Sequence, residues 1–190
     1  MKKLIFIISL TLIALISLKA QADLLEKNFP AATPSRGLET AAVDLDPATI
    51  NGYVVVMKEG IPAEQAQFYI SWGDYDYRAS KVEDGKIKTR RGKIYTFLQP
   101  GDIMAVVNTI KFGQRFNIRL ISPTPYVPLD RPKDKRHSRV TCSVGFKLPK
   151  NEQQGLATIE KWLKPFANYN DAKDYAEGLK RAQKTIYHSL

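Results

Sequence analysis

Between Ile94 and Ser122 the chain reads IYTFLQPGDIMAVVNTIKFGQRFNIRLIS, three strand-like runs separated by Pro100-Gly101 and by Gly113-Gln114. Val, Ile, Phe and Tyr fill the runs, and Gly or Pro interrupts them, which is the composition of short antiparallel strands. Gln99-Pro100-Gly101-Asp102 has Pro and Gly at its two central positions and suits a type II turn. Phe116, Ile118 and Leu120 alternate with Asn117 and Arg119, as in a strand with one face buried and the other open. A chain built on this stretch is constrained to a small antiparallel β-barrel or sandwich.

The flanking segments extend that pattern. Tyr53 to Met57 is continuously apolar, as expected of a strand covered on both faces. Ile61 to Phe68 reads as one helical turn opened by Pro62 or as a loop, and Phe68 to Trp72 reads as a strand stopped by Gly73. Asp84-Gly85 lies between Tyr75–Glu83 and Lys86–Arg91, a signal for a two-residue type I′ hairpin. That turn would pair Glu83 with Lys86, Val82 with Ile87, Lys81 with Lys88 and Ala79 with Arg90. Val140, Cys142, Val144 and Phe146 alternate with Thr141 and Ser143, which makes a closing strand with Cys142 on its apolar side.

Helical spacing takes over after Leu148-Pro149-Lys150. Asn151 and Gln154 resemble a capping box, and Leu156, Ile159, Leu163 and Phe166 recur as a stripe beside Trp162. Pro165 should stop this helix near residues 162–164. Asn170 or Asp171 caps a second helix, whose stripe is Ala172, Tyr175, Ala176, Leu179 and Ala182, reaching Ile186. The expected fold class is thus α+β: an antiparallel β domain over 53–148, followed by a C-terminal helical hairpin over 149–190 packed on it. Residues 23–52 carry Pro30, Pro34 and Pro47 and read as an extended segment, with a short turn at Asp46 to Thr49.

Over Tyr53 to Phe146 the order of short strands, the Pro-Gly-Asp turn and the closing strand resembles an SH3-like barrel, a module used on bacterial envelopes. The likeness is one of pattern. No family motif matches residue by residue, and no binding residue is carried over.

The N-terminus has its own signature. Lys2 and Lys3 precede an apolar run from Leu4 to Leu18, and Ala20-Gln21-Ala22 follows, the arrangement of a secretory signal peptide cut after Ala22. The run is too short, and too interrupted by Ser and Thr, for a spanning helix of about 20 apolar residues. Removing residues 1–22 takes away Lys2, Lys3 and Lys19 and leaves 26 basic against 19 acidic side chains, a charge of +7. The expected location is periplasmic or extracellular, with no membrane anchor after cleavage. Cys142 is the one cysteine, so no internal disulfide forms and core burial must supply the stability. On the apolar side of a strand it reads as a buried, inert thiol.

Two basic features stand out. On the expected hairpin, alternation puts Tyr75, Tyr77, Lys81, Lys86, Lys88 and Arg90 on one face, with Val82 and Ile87 on the other. Lys81 opposite Lys88 is unfavourable for the sheet itself. The face suits an edge whose lysines deter sheet-to-sheet pairing, with an anionic polymer or stacking ligand as the functional reading. The second feature is the loop from Ser122 to Ser138, where four prolines exclude a central strand. Its latter half carries Arg131, Lys133, Lys135, Arg136 and His137, with Arg139 adjoining, and such a loop can grip phosphates or carboxylates.

Catalytic signatures are missing. The chain has no Gly-rich phosphate loop, no His-x-x-x-His pair, no serine elbow and no zinc-type Cys/His spacing. These features together point to an exported, non-enzymatic binding or assembly module without metal or cofactor. Its partner would be an anionic envelope polymer or another envelope protein, with nucleic acid the weaker candidate outside the cytoplasm. Two alternatives stay open: a structural subunit using the C-terminal helices, and a small hydrolase or lyase that brings Asp74, Asp76 and His137 together.

Overall fold

A computed structural model of the chain describes residues 24–30, 50, 52–65, 80–89, 94–126, 139–149 and 151–188. In chain order the elements are a helical turn α1 (24–28), β1 (Tyr53–Val56), β2 (Ile61–Gln65), β3 (Ser80–Glu83), β4 (Lys86–Lys88), β5 (Thr96–Leu98), β6 (Ile103–Phe112), β7 (Arg115–Ile121), β8 (Val140–Lys147), α2 (Glu152–Glu160), β9 (Leu163–Phe166) and α3 (Tyr169–His188). The expected signal peptide, the Phe68–Trp72 strand and the Ala79–Arg90 pair lie outside the described residues.

The strands form one curled sheet, a half-barrel, in the order β4-β3-β8-β7-β6-β1-β9. Local chemistry explains the hairpins. Asp84 and Gly85 take φ of 52° and 71°, the left-handed pair a type I′ turn requires, and the β3–β4 register is the one the sequence implies. Gly101 takes φ of 87°, and Asp102 N–H donates to Gln99 O at 3.0 Å, closing the type II turn between β5 and β6. β6 and β7 pair through the Gly113-Gln114 turn, with a register shift between Val106 and Asn108.

β8 is the strand on which the sheet is assembled. It pairs antiparallel with β7 from Thr141 to Lys147. Its other edge is shared: β2 takes Val140 and Thr141, and β3 takes Val144 to Phe146 in parallel. The sheet is therefore mixed, where the sequence leads one to expect only antiparallel pairs. Ile61–Gln65 is likewise a strand rather than a helical turn or loop. Ile61 and Ala63 are buried with period two, and Pro62 sits opposite Phe97 of the short strand β5.

Two hydrophobic cores lie on opposite sides of the sheet. The larger fills the curl with Val54, Val56, Met104, Phe116, Ile118, Leu120, Val144 and Phe146, among others. The smaller joins Tyr53, Val55, Ala105 and Ile121 to Ala172 and Ala176 of α3. β1 separates them, so all four of its residues are buried. Burying one such aliphatic side chain contributes about 1.5–3 kcal/mol, which explains the unbroken apolar run. The small alanines let α3 lie close to the sheet, where Tyr169 meets Tyr53 edge-on at 5.5 Å between ring centroids.

Both ends of the chain differ from expectation. Residues 24–30 are not extended: Leu25 and Phe29 are fully buried, and Phe29 packs 6.1 Å from Phe116 between ring centroids. An Asn28 side-chain N–H to Leu24 O, at 2.8 Å, holds the turn. At the other end, α2 and α3 do not form a hairpin, because strand β9 stands between them. Asn151 caps α2 as expected, accepting from Gln154 N–H at 3.2 Å, but the helix stops at Glu160. Leu163 to Phe166 then pairs with β1. Without β9 the second edge of a fully buried strand would have no backbone partners, a cost that outweighs one more helical turn. Pro165 is tolerated because β9 is the last strand of the sheet. The α3 cap is Asn168, not Asn170 or Asp171: it accepts from Asp171 N–H at 2.9 Å and donates to the Asp171 carboxylate at 2.8 Å.

Candidate functional site

Residues paired across strands stand on the same side of a sheet, so the registers define the face turned away from the curl. One row crosses Lys88 of β4, Lys81 of β3, Gly145 of β8 and Asn117 of β7. A Cβ at Gly145 would run into Asn117 Oδ1, so glycine lets the Asn117 side chain lie across β8. The next row carries Lys86 and Glu83, then Lys147 and Arg115. On the other side of the first row, Ser143 faces Arg119, which in turn faces Asn108 of β6.

Lys81, Lys86, Lys88, Arg115, Arg119 and Lys147 thus share a face with two strand carboxylates, Glu83 within the cluster and Glu64 of β2, which stands level with Thr141 at the other end of β8. The opposite sides of the same strands hold Val82, Phe116, Ile118, Val144 and Phe146 in the core. Alternation of apolar and charged residues makes both faces at once. Between β6, β7 and β8 the basic face has a shallow cleft of about 10 Å³, lined by Asn108, Ile110, Asn117, Arg119 and Ser143. That is room for about one water molecule.

Glu83 is the hub of the charges. Its carboxylate accepts from Lys88 Nζ at 3.0 Å and from Arg115 Nη2 at 3.5 Å, bridging β4 to β7. The hydrogen bond from Lys88, then the Lys88 charge, hold the Glu83 carboxyl below its ordinary range, and Arg115 and Lys147 add to this. Pairing with Glu83 also draws Lys88 away from Lys81, its like-charged neighbour across the hairpin.

Of the residues the sequence singles out, Lys81, Lys86 and Lys88 lie on this face. Tyr75, Tyr77, Arg90, Arg131, Lys133, Lys135, Arg136 and His137 lie outside the described residues, as do Asp74 and Asp76. Arg139 is half-buried at the far end of β8, where its Nη1 donates to Ser122 O at 3.4 Å. It stands eight residues along that strand from Lys147, about 26 Å of extended chain. Arg139 therefore braces the base of the loop and does not join the Lys88–Arg115 cluster. The sequence reading missed Arg115, Arg119 and Lys147 as partners of the hairpin. Their signal was the polar alternation in RFNIRLI and VTCSVGFK, but only the parallel β3–β8 pairing brings the hairpin beside them.

Two other chemical groups are committed to structure. Cys142 is buried, and desolvation pushes its thiol up to about 12, against a smaller opposing effect of Arg119. This is the inert thiol expected from its place in the strand. Asp102, half-buried behind the Pro100-Gly101 turn, accepts from Gln99 N–H at 2.8 Å and from Tyr126 O–H at 2.6 Å. Burial nevertheless raises its pKa. The Lys180 side chain of α3 lies against Gly101, where a Cβ would come within 2.7 Å of its Cε.

Comparison with protein-family models, with curated proteins and with solved structures finds no match. The basic face has to be read from its own chemistry. Among the described residues no three His, Cys, Asp or Glu side chains are grouped to hold a metal ion, and no described helix is long and apolar enough to cross a membrane. What the face offers is several cations on neighbouring strands, spaced about 4.8 Å from strand to strand, around a shallow cleft among the described residues. It suits a repeating anion better than a small enclosed substrate.

Proposed function

We propose that the protein is a non-enzymatic binding module of the bacterial cell envelope, holding a linear anionic polymer on the open face of its sheet. The observation that carries this reading is the cross-strand register. It sets Lys81, Lys86, Lys88, Arg115, Arg119 and Lys147 on one face against two strand carboxylates, Glu83 and the more distant Glu64. Location in the envelope rests on the signal-like N-terminus, Lys2 and Lys3 before an apolar run and Ala20-Gln21-Ala22. Arg131, Lys133, Lys135 and Arg136 of the loop belong to the same proposal as a second point of attachment. A face of this kind binds through many weak, salt-screened contacts. Its cations suit a phosphate-, sulfate- or carboxylate-bearing polymer.

The alternative of a structural subunit docking through its C-terminal helices has less support. Ile159, Trp162, Leu163, Ala172 and Ala176 are buried in the protein's own cores, so that stripe is already used. Retention on immobilised heparin and on purified anionic cell-wall polymer, followed against NaCl, tests the binding reading. Wild type should elute later than a Lys81→Ser, Lys88→Ser, Arg115→Ser, Lys147→Ser variant, and the difference should vanish at about 1 M salt, where the Debye length falls to about 3 Å. Equal elution at low salt overturns it.

A further inference from the structure

The ion pairs on the open face contain an asymmetry. Lys81, Lys86, Lys88, Arg115 and Lys147 lie around the Glu83 carboxylate, whereas Arg119 and the second carboxylate of the face, Glu64, stand further along β8. Glu83 lies level with Lys86 across the hairpin and beside Lys147 and Arg115 on the opposite flank, and it contacts Lys88 and Arg115 directly at 3.0 and 3.5 Å. The cations are the mobile partners, because the Lys88 and Arg115 side chains are 68% and 45% exposed whereas that of Glu83 is 21% exposed. Such an arrangement resembles an anion site already filled by a group from the protein itself.

We propose that Glu83 occupies the primary anion position of this face, and that one phosphate, sulfate or carboxylate group of the polymer displaces it from Lys88 and Arg115 on binding. The inference rests on the anionic-polymer reading and makes it more specific. The point of strongest contact lies between β3, β4, β7 and β8, not at the Asn108–Ser143 cleft. No backbone rearrangement is needed. The Lys88 ammonium and the Arg115 guanidinium exchange one oxyanion for another, and Arg115 can present two parallel N–H donors to the incoming group. Lys81 and Lys147 stand close enough to take neighbouring groups of a repeating chain. Displacement also sets a threshold: an isolated carboxylate gains little by replacing a carboxylate, whereas a densely charged polymer engages the surrounding cations at the same time. Glu83 would thereby act as a specificity residue that disfavours small monoanions.

The experiment uses the whole chain and a labelled heparin oligosaccharide, with binding followed by fluorescence anisotropy at about 50 mM NaCl. Glu83→Gln removes the charge and keeps the shape. Glu160→Gln, at an exposed position of α2, which packs against the far-edge strand β9, changes the net charge by the same amount as a control. Glu83→Gln should bind about fivefold more tightly, the scale of one unit-charge interaction near 4 Å in water, and Glu160→Gln less than twofold. In a Lys88→Ala, Arg115→Ala background the gain from Glu83→Gln should disappear, because the cations it releases are absent. Wild type that binds, with Glu83→Gln no tighter than Glu160→Gln or with the gain intact in the double-alanine background, overturns this inference alone. Wild type with no salt-sensitive binding overturns both this inference and the reading beneath it.

Discussion

The Tyr126 hydroxyl donates to the Asp102 carboxylate across 2.6 Å, linking the base of the proline-rich loop to the turn that opens β6. The same oxygen accepts from Gln99 N–H, so one half-buried carboxylate holds two segments together. Tyr126→Phe removes one of its two donors and keeps the ring. The expected loss is about 1–1.5 kcal/mol of unfolding free energy, the net worth of one such bond, measured by urea titration. A loss below about 0.3 kcal/mol would mean the bond contributes nothing in solution.

Burial raises the Asp102 pKa above 3.8, and the sign of its effect on stability follows. A carboxyl that binds its proton more tightly when folded favours the folded state fully below the unfolded pKa, and this contribution is lost as pH climbs through the raised value. Asp102→Asn cannot titrate. Stability curves from pH 3 upward should show wild type losing ground to Asp102→Asn across that interval. Parallel curves would remove Asp102 from the pH response.

Gly101→Ala faces two obstacles: a φ of 87° and a Lys180 side chain 2.7 Å from the new Cβ. The backbone strain alone is worth about 1–3 kcal/mol. Combining it with Lys180→Ala should recover part of the loss, because the two residues meet. Strict additivity of the two ΔΔG values, in equilibrium denaturation, would place the whole cost in the backbone.

Phe29→Ala tests whether the segment before β1 belongs to the folded body. Phe29 is fully buried against Phe116, and a cavity of that kind costs about 3–5 kcal/mol. Thermal unfolding should show a drop in Tm of several degrees or more. A change within error would mean that residues 24–30 are not docked in solution.

Cys142 should resist a thiol-specific reagent at pH 8 in the native protein and react promptly in denaturant. It is buried and its thiol is pushed up to about 12, so the reactive thiolate is scarce and shielded. Stoichiometric labelling of the native protein within minutes would contradict the burial.

Wherever a local rule has a single solution, the structure was legible in the sequence. Asp84-Gly85 dictated turn and register together, Pro100-Gly101 its turn, Asn151 its cap, and the unbroken Tyr53–Val56 run its two covered faces. Local rules did not suffice where two answers fit equally well. Leu163 and Phe166 satisfy a helical stripe, yet the unpaired edge of β1 draws them into a strand. Leu25 and Phe29 looked like part of a proline-marked leader until the curl of the sheet supplied a place to bury them. The basic face was half visible for the same reason. Lys81, Lys86 and Lys88 follow from one hairpin, whereas Arg115 and Lys147 join them through the β3–β8 pairing, which spans some 60 residues and leaves no local trace.

The position of β1 also fixes an order of events. Tyr53 pairs with Ala105 on one side and with Phe166 on the other, so a chain made from its N-terminus can cover one edge of this apolar ribbon once β6 is made but keeps the other edge bare until β9 follows. Until Leu163 to Phe166 emerge, that ribbon is an open invitation to another copy of itself. A nascent chain stalled or truncated before residue 163 should therefore fail by aggregation rather than by proteolysis of a loose tail. The last 28 of the 190 residues are what makes the first strand safe.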